Sequence, residues 1–173
     1  MRNTHIVAKG THGVFHVLGP TVEFLTSPND SNAGFCVMKG TIPAATSCLF
    51  MRTPEVFFDL TGSLQVWERD GGLEWLDVKP GDFIEVPGNA KHAFRNESSA
   101  PAIELITTTP KIGRFFQEVG KSLSESAVKA PPTSDELRHF TEVSQRYGYW
   151  NASPAERRSG NHPAWTVTAS TDS

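Results

Sequence analysis

The sequence predicts an all-β domain, a single antiparallel barrel or sandwich of short strands, with short helices at its C-terminal end. Runs rich in Val, Phe, Ile and Thr recur at regular intervals, and turns containing Gly and Pro separate them. No helical crossover lies between these runs, which favours antiparallel over parallel pairing. The 173 residues suit one domain with a tail better than two complete domains.

Composition excludes several classes of function. The chain is 38% hydrophobic and has 11 Phe, 4 Trp and 2 Tyr, which is enough for a core and excludes wholesale disorder. A net charge of −3 argues against a nucleic-acid partner, since phosphate binding needs clustered Lys and Arg. The sequence has no long apolar run and no apolar N-terminal stretch, so we expect a cytoplasmic protein that does not bind membranes. Two cysteines, Cys36 and Cys48, are too few for a disulfide framework or a Cys-based zinc site.

The first predicted strands cover the N-terminal third of the chain. They are two short strands within 12–25 around a turn at Gly19-Pro20, a strand from Phe35 to Lys39 that ends at Gly40, and a strand over about Thr46 to Arg52.

A hairpin is predicted next, with Gly62 in its turn and Leu64 and Val66 on its return arm. Its first arm alternates, so that Glu55, Phe57 and Asp59 share one face while Val56, Phe58 and Leu60 share the other. Asp70-Gly71-Gly72 predicts a second hairpin turn. The series continues with strands over Leu73 to Val78, Phe83 to Val86, Ala93 to Asn96 and Ala102 to Thr109, joined by turns at 79–82 and 87–89.

The pattern changes to helical after Pro110. One short helix is predicted to end at Gly120, and a linker follows over 123–132. A capping box, Thr133 with Glu136, precedes an apolar stripe and a stop at Gly148. We interpret this second helix as packing on the barrel rather than as a lid over its mouth. The predicted organisation is an N-terminal segment 1–11, a barrel with helices 12–150 and a disordered tail 151–173.

Two stretches resemble the paired sequence motifs of the cupin superfamily. The second motif reads Gly81, Pro87, Asn89, His92 and Asn96, with Asn where the family usually has Gly. The first motif ends with Glu55 and, after six residues, Gly62. Residues 10–150 are similar to small single-barrel cupins grouped with quercetinase-like proteins. The resemblance implies a jelly-roll-like β-barrel and a homodimer.

The same resemblance makes a metal centre doubtful. Metal-dependent cupins use three His and one Glu, and this chain keeps only Glu55 and His92 at those positions. The window that usually carries His-x-His reads Cys48-Leu49-Phe50-Met51-Arg52. Imidazole and carboxylate suit Fe, Mn, Ni, Cu or Zn, but two protein ligands rarely hold such an ion. We therefore expect no metal or other cofactor; if a metal binds, its ligands would be Cys48, Glu55 and His92.

A barrel without a metal can still enclose a ligand, and the candidate catalytic groups are Glu55, His92 and Asp59. Burial would raise the pKa of a carboxyl towards the working pH, as proton transfer requires. The structural alternatives are that Asp59 binds water or a backbone amide, that Glu55 pairs with Arg52, Lys91 or Arg95, and that His92 is a hydrogen-bonded core residue. Phe57 is a predicted pocket wall.

The strand before Glu55 has two possible registers. In one, Cys48, Phe50 and Arg52 point inward, and Arg52 could hold a carboxylate or enolate of the ligand. In the other, Leu49 and Met51 line the interior and Arg52 is solvated. Either register supplies candidate substrate-binding residues.

Three functions are compatible with these residues. The first is a metal-independent enzyme doing acid/base chemistry (isomerisation, cyclisation or elimination) on a small hydrophobic, oxygenated molecule. The second is a non-catalytic protein that binds a small ligand in the barrel. The third is a quercetinase-like metal dioxygenase with an atypical site built from Cys48, Glu55 and His92.

Overall fold

The computed structural model describes residues 6–30, 34–47, 53–68, 75–123 and 132–151. In chain order the strands and helices are β1 (Val14–His16), β2 (Thr21–Phe24), β3 (Cys36–Ile42), β4 (Thr46–Ser47), β5 (Glu55–Thr61), β6 (Leu64–Glu68), β7 (Trp75–Val78), β8 (Phe83–Val86), β9 (His92–Asn96), β10 (Ala102–Thr108), α1 (Pro110–Val119), β11 (Lys121–Ser122) and α2 (Ser134–Tyr147).

The strands form two sheets whose apolar faces meet in one core. One sheet has the order β11-β1-β2-β3-β10-β5-β8 and the other β4-β9-β6-β7, with antiparallel pairing between the neighbouring strands. Met38, Phe57 and Ile106 of the first sheet share a buried cluster with Leu64 and Phe94 of the second. The predicted all-β, single-domain barrel with short C-terminal helices is confirmed.

Strand β10 is an interior strand of the larger sheet and sets the position of the site. It pairs with β3 on one side and with β5 on the other. Burial alternates along both β3 and β10, as expected of strands with one face in a core. The inward residues of β10 are Ala102, Glu104, Ile106 and Thr108.

The predicted hairpin over 55–68 is wrong. The alternation along β5 is as expected, but β5 pairs with β10 and β8, whereas β6 pairs with β7 and β9. The chain therefore passes from one sheet to the other at Gly62, whose φ is 95°. A Cβ there would lie 2.6 Å from Cα of Ala102, so this crossing requires glycine.

The predicted strand end at Gly40 is also wrong, because β3 continues through Gly40 to Ile42. Gly40 stands opposite Glu104 of β10, and the missing side chain leaves room for that acid. A glycine inside a strand often marks such a close approach.

The predicted pairing of the strands on either side of residues 70–72 is observed. Strands β6 and β7 form an antiparallel hairpin in which Trp67 faces Trp75, although its turn at 70–72 lies outside the described residues. The predicted strand over 46–52 is described only as β4, and residues 48–52 lie outside the described residues. Strand β11, which pairs with β1, was not predicted.

The two helices pack against each other on the barrel. Thr109 caps α1 and Gly120 ends it; Thr133 and Glu136 form the predicted capping box of α2, which ends at a left-handed Gly148. The ring of Phe115 lies 5.5 Å from that of Phe140, which joins the helices edge to face. Within the described part of the chain, no helix is long and apolar enough to cross a membrane. Most of the predicted linker (124–131) and tail (152–173) falls outside the described residues.

Candidate functional site

Strand β5 carries the three residues that the alternation placed on one face, and all three point into the barrel. Glu55, Phe57 and Asp59 are 3%, 4% and 1% exposed. His92, the first residue of β9, reaches the same interior from the opposite sheet and is 2% exposed. Two carboxyls and an imidazole are therefore enclosed in an otherwise aromatic and aliphatic core.

Glu55 and His92 contact each other directly. Nε2 of His92 lies 3.2 Å from Oε2 of Glu55, and the Thr53 hydroxyl donates to the same oxygen at 2.6 Å. Nδ1 of His92 lies 3.3 Å from the carbonyl oxygen of Ala90. The two ring nitrogens of His92 thus face two oxygen atoms, the carbonyl of Ala90 and the carboxyl of Glu55, which fixes the orientation of the ring.

The basic residues beside His92 have other contacts. Arg95 donates through Nε to Gln65 at 2.7 Å and stacks over the Trp75 ring at 4.1 Å. Nζ of Lys91 lies 4.0 Å from the centre of the Trp150 ring. Glu55 thus contacts His92 rather than Lys91 or Arg95, the cations that the sequence offered as its partners.

Asp59 is 1% exposed and lies in the interior of the barrel, not at its mouth. Neither of its carboxylate oxygens has a hydrogen-bond partner of normal geometry among the described residues. Burial raises the pKa of Asp59, the nearby Asp82 carboxylate raises it further, and the backbone amide of Thr61 partly opposes both. Asp59 does not line the cavity described below, so it is not in position to contact a molecule bound there.

Glu104 is the site residue that the sequence analysis missed. It is 4% exposed, stands opposite Asp59 of β5, and lines the cavity with Glu55 and His92. Burial, followed by repulsion from Glu55 and Asp59, raises the pKa of Glu104 to about 8. Its Oε2 has no hydrogen-bond partner within the described part of the chain. The available signal was a single acid on the inward face of an apolar strand, Ala102-Ile103-Glu104-Leu105-Ile106.

The half-buried Tyr149 is close enough to the site for the charge of Glu55 to affect its pKa. It follows α2, and its ring lies 5.0 Å from that of Phe115. Burial and the charge of Glu55 raise the pKa of Tyr149 to about 12, so its hydroxyl stays neutral at physiological pH.

Glu55, Glu104 and His92 border a small, mostly apolar cavity of about 60 Å³. An engineered cavity that binds benzene has roughly 150 Å³, so this one suits a few heavy atoms of a ligand. It is lined by Val17, Pro20, Thr21, Val22, Gly40, Ile42, Glu55, Phe57, His92, Phe94, Glu104, Ile106 and Phe116. No residue of α2 belongs to this lining, which agrees with packing rather than a lid.

The described residues do not fit a cupin metal centre. Glu55 and His92 occupy two ligand positions of the family, but across the described ranges no group of three or more His, Cys, Asp or Glu side chains could hold an ion. Cys48, the conceivable third ligand, lies outside these ranges, as do the proposed substrate contacts Leu49, Phe50, Met51 and Arg52. The register of that strand and the roles of these five residues stay predictions.

Comparison with known proteins relates the middle of the barrel to a known family. Residues 51–108, about a third of the 173 residues, match the model of the Cupin_2 family, a cupin domain. The match spans β5 to β10 and thus includes Glu55, His92 and Glu104. No curated protein matches the sequence.

Solved cupin structures share the fold of this domain at low sequence identity. An RmlC-like cupin from Shewanella frigidimarina is 17% identical over 62% of this chain and 92% of its own, with a TM-score of 0.50. A sugar phosphate isomerase of the cupin superfamily from Silicibacter pomeroyi is 23% identical, with a TM-score of 0.45. That similarity covers 53% of this chain and only 59% of the isomerase. The similarity to the RmlC-like cupin concerns the fold alone, and neither similarity carries anything about activity.

Proposed function

We propose that this cupin domain catalyses proton transfer without a metal, in an isomerisation, cyclisation or elimination of a small, largely apolar, oxygenated molecule. The observation that carries the proposal is that Glu55, His92 and Glu104 border one apolar cavity. A base and an acid on the same bound molecule are what such reactions need.

The Glu55–His92 pair supplies the base. Nε2 of His92 lies against Oε2 of Glu55, and Thr53 and Ala90 hold the two side chains in place. The pair takes a C–H proton next to a carbonyl of the substrate. Burial keeps competing water away from the carbanion that forms.

Glu104 supplies the acid. With a pKa of about 8 it holds its proton at neutral pH and can give it to the substrate oxygen as the C–H electrons move there. In an isomerisation the other proton returns from the Glu55–His92 pair to a different carbon, while the enol O–H proton goes back to Glu104. In an elimination the leaving group departs from the neighbouring carbon with its bonding electrons and takes the proton held by the Glu55–His92 pair, and the enol O–H proton again returns to Glu104.

The proposal involves no metal, because the described residues provide fewer ligands than a catalytic ion needs. Two ligands at family positions fall short of the three that catalytic sites normally use. Metal analysis of protein purified without chelator is therefore expected to give well under one ion per chain. About one ion per chain, with turnover lost on its removal, would instead support the dioxygenase alternative with Cys48.

Exchange of substrate C–H for deuterium in D₂O, followed by NMR, tests the chemistry on a panel of small ketones and phenols. We expect wild-type protein to catalyse exchange or conversion of at least one compound, and Glu55→Gln and His92→Ala each to slow it about 100-fold or more. Glu85→Gln makes the same change at an exposed site and should leave the rate unchanged. Circular dichroism checks that the variants fold, and Glu55→Asp provides a milder second variant. Equal rates in wild type and both site variants would refute the proposal.

A further inference from the structure

The acidic groups that face the cavity are not balanced by a cation among the described residues. Glu55 and Glu104 line it, and Asp59 lies beside Glu104 on the neighbouring strand. Of the described residues that line the cavity, none is a Lys or Arg. The other titratable group there, His92, is already in contact with Glu55. A positive charge on a ligand complements this part of the wall and would favour the ionised form of Glu104, which otherwise holds its proton at neutral pH.

A carboxyl oxygen without a described hydrogen-bond donor also favours a ligand that carries N–H groups. Glu104 lines the cavity with a side chain that is 4% exposed, and no described residue donates to its Oε2. Leaving a carboxyl oxygen buried without a donor is costly, so this oxygen favours a donor from beyond the described residues. A ligand N–H group would meet that requirement.

The rest of the wall suits a cation as well. Phe57 and Phe94 lie with ring centres 4.5 Å apart, and Phe116 borders the cavity from α1. Aromatic faces attract a desolvated cation through their ring quadrupoles. The volume of about 60 Å³ admits only a few heavy atoms, which fits a small head group rather than a bulky one.

We propose that the cavity binds the ammonium head of a small organic amine, with its N–H groups donated to Glu104 and its charge set against Glu55 and the Phe57–Phe94 wall. The inference rests on the site of the proposed function and narrows its substrate to molecules that carry an amine in addition to oxygen. In such a substrate the ammonium group faces the carboxylate that Glu104 becomes when it gives its proton to the substrate oxygen.

Calorimetry and thermal denaturation with paired probes test this inference. Methyl-, ethyl- and propylammonium chloride are compared with methanol, ethanol and propanol at the same concentration and ionic strength, with NaCl as the salt control. We expect at least one alkylammonium ion to raise Tm saturably and the alcohol of the same length to have no such effect. Glu104→Gln should weaken that binding about tenfold or more, since a charge-assisted hydrogen bond is lost, whereas Glu85→Gln should not change it.

Several outcomes would overturn the inference. They are equal binding of ammonium and alcohol probes, no binding of any alkylammonium ion by folded wild-type protein, and unchanged affinity in folded Glu104→Gln. If Glu104→Gln fails to fold, Asp59→Asn removes the neighbouring carboxylate, and it too should weaken binding. Ammonium binding without any deuterium exchange would sustain this inference and refute the proposed function. Deuterium exchange on neutral ketones without ammonium binding would refute this inference and sustain the proposed function.

Discussion

Glu104 of β10 stands directly opposite Gly40 of β3, and a Cβ built on Gly40 would lie 3.1 Å from both Cγ and Oε1 of the acid. The glycine thus provides the space in which the carboxyl lies. A larger residue would crowd Glu104, which Glu55 and Asp59 already repel. The close approach of Gly40 and Glu104 explains how the interior of the sheet accommodates an acid that has no cationic partner among the described residues.

Protein stability should fall as the pH rises, because of Glu104. Its pKa is about 8 in the folded state against 4.5 ordinarily, so between these values the folded state binds more protons than the unfolded state. The stabilising contribution is complete below pH 4.5 and is lost as the pH rises through 8. The limiting slope for one such group is about 1.4 kcal/mol per pH unit.

Urea denaturation at several pH values between 5.5 and 8 measures this slope. We expect Glu104→Gln to be less pH-dependent than wild type, since the amide does not titrate. Glu85→Gln serves as the control and should keep the wild-type slope. Parallel slopes in Glu104→Gln and wild type would show that Glu104 does not bind a proton in this range.

Loss of the Thr53 hydroxyl should destabilise the buried pair. Thr53 is fully buried and donates to Oε2 of Glu55 at 2.6 Å. Thr53→Val keeps the shape but removes the donor, so we expect the free energy of unfolding to fall by about 1–3 kcal/mol. Thr53→Ser keeps the hydroxyl and should lose less. Denaturant titration compares the two, and a Val variant as stable as the Ser variant would contradict the role of this hydrogen bond.

Alanine at Gly62 should cost more than alanine at Gly81. Both glycines have nearly the same φ, 95° and 94°, but only Gly62 has a backbone atom, Cα of Ala102, within 2.6 Å of the added Cβ. Gly81→Ala carries the conformational strain alone, about 1–2 kcal/mol. Gly62→Ala adds a clash at the crossing between the sheets. Thermal denaturation of the two variants gives the difference directly; equal Tm values would mean that the crossing tolerates a side chain.

Gly113→Ala should destabilise the protein although it improves helix propensity. Gly113 lies in α1, and an added Cβ would meet Cβ of Pro28 at 2.6 Å and Sγ of Cys36 at 2.7 Å. In an exposed helix interior the same change is stabilising by about 1 kcal/mol, whereas overpacking a core costs about 1–3 kcal/mol. A lower Tm is therefore expected, and a higher one would show that α1 can move away from β3 at little cost.

The sequence predicts local features of the site better than its long-range pairing. The alternation of Glu55, Phe57 and Asp59 follows from strand geometry alone, and the family motif indicates His92. The supposed hairpin over 55–68 failed because the strand partner of β5 is β10, about 45 residues away, and nothing local encodes that choice. Glu104 was missed for the same reason, since only the pairing places it beside Asp59 and opposite Gly40.

The position of β10 between β3 and β5 has a consequence for synthesis and truncation. Strands β3 and β5 each have an edge that only β10 covers, and β10 is the last long strand of the larger sheet to leave the ribosome. A nascent chain or fragment that ends before residue 102 exposes two unpaired edges, which are templates for aggregation. Such fragments should precipitate or recruit chaperones, whereas chains that extend through residue 108 can close the sheet.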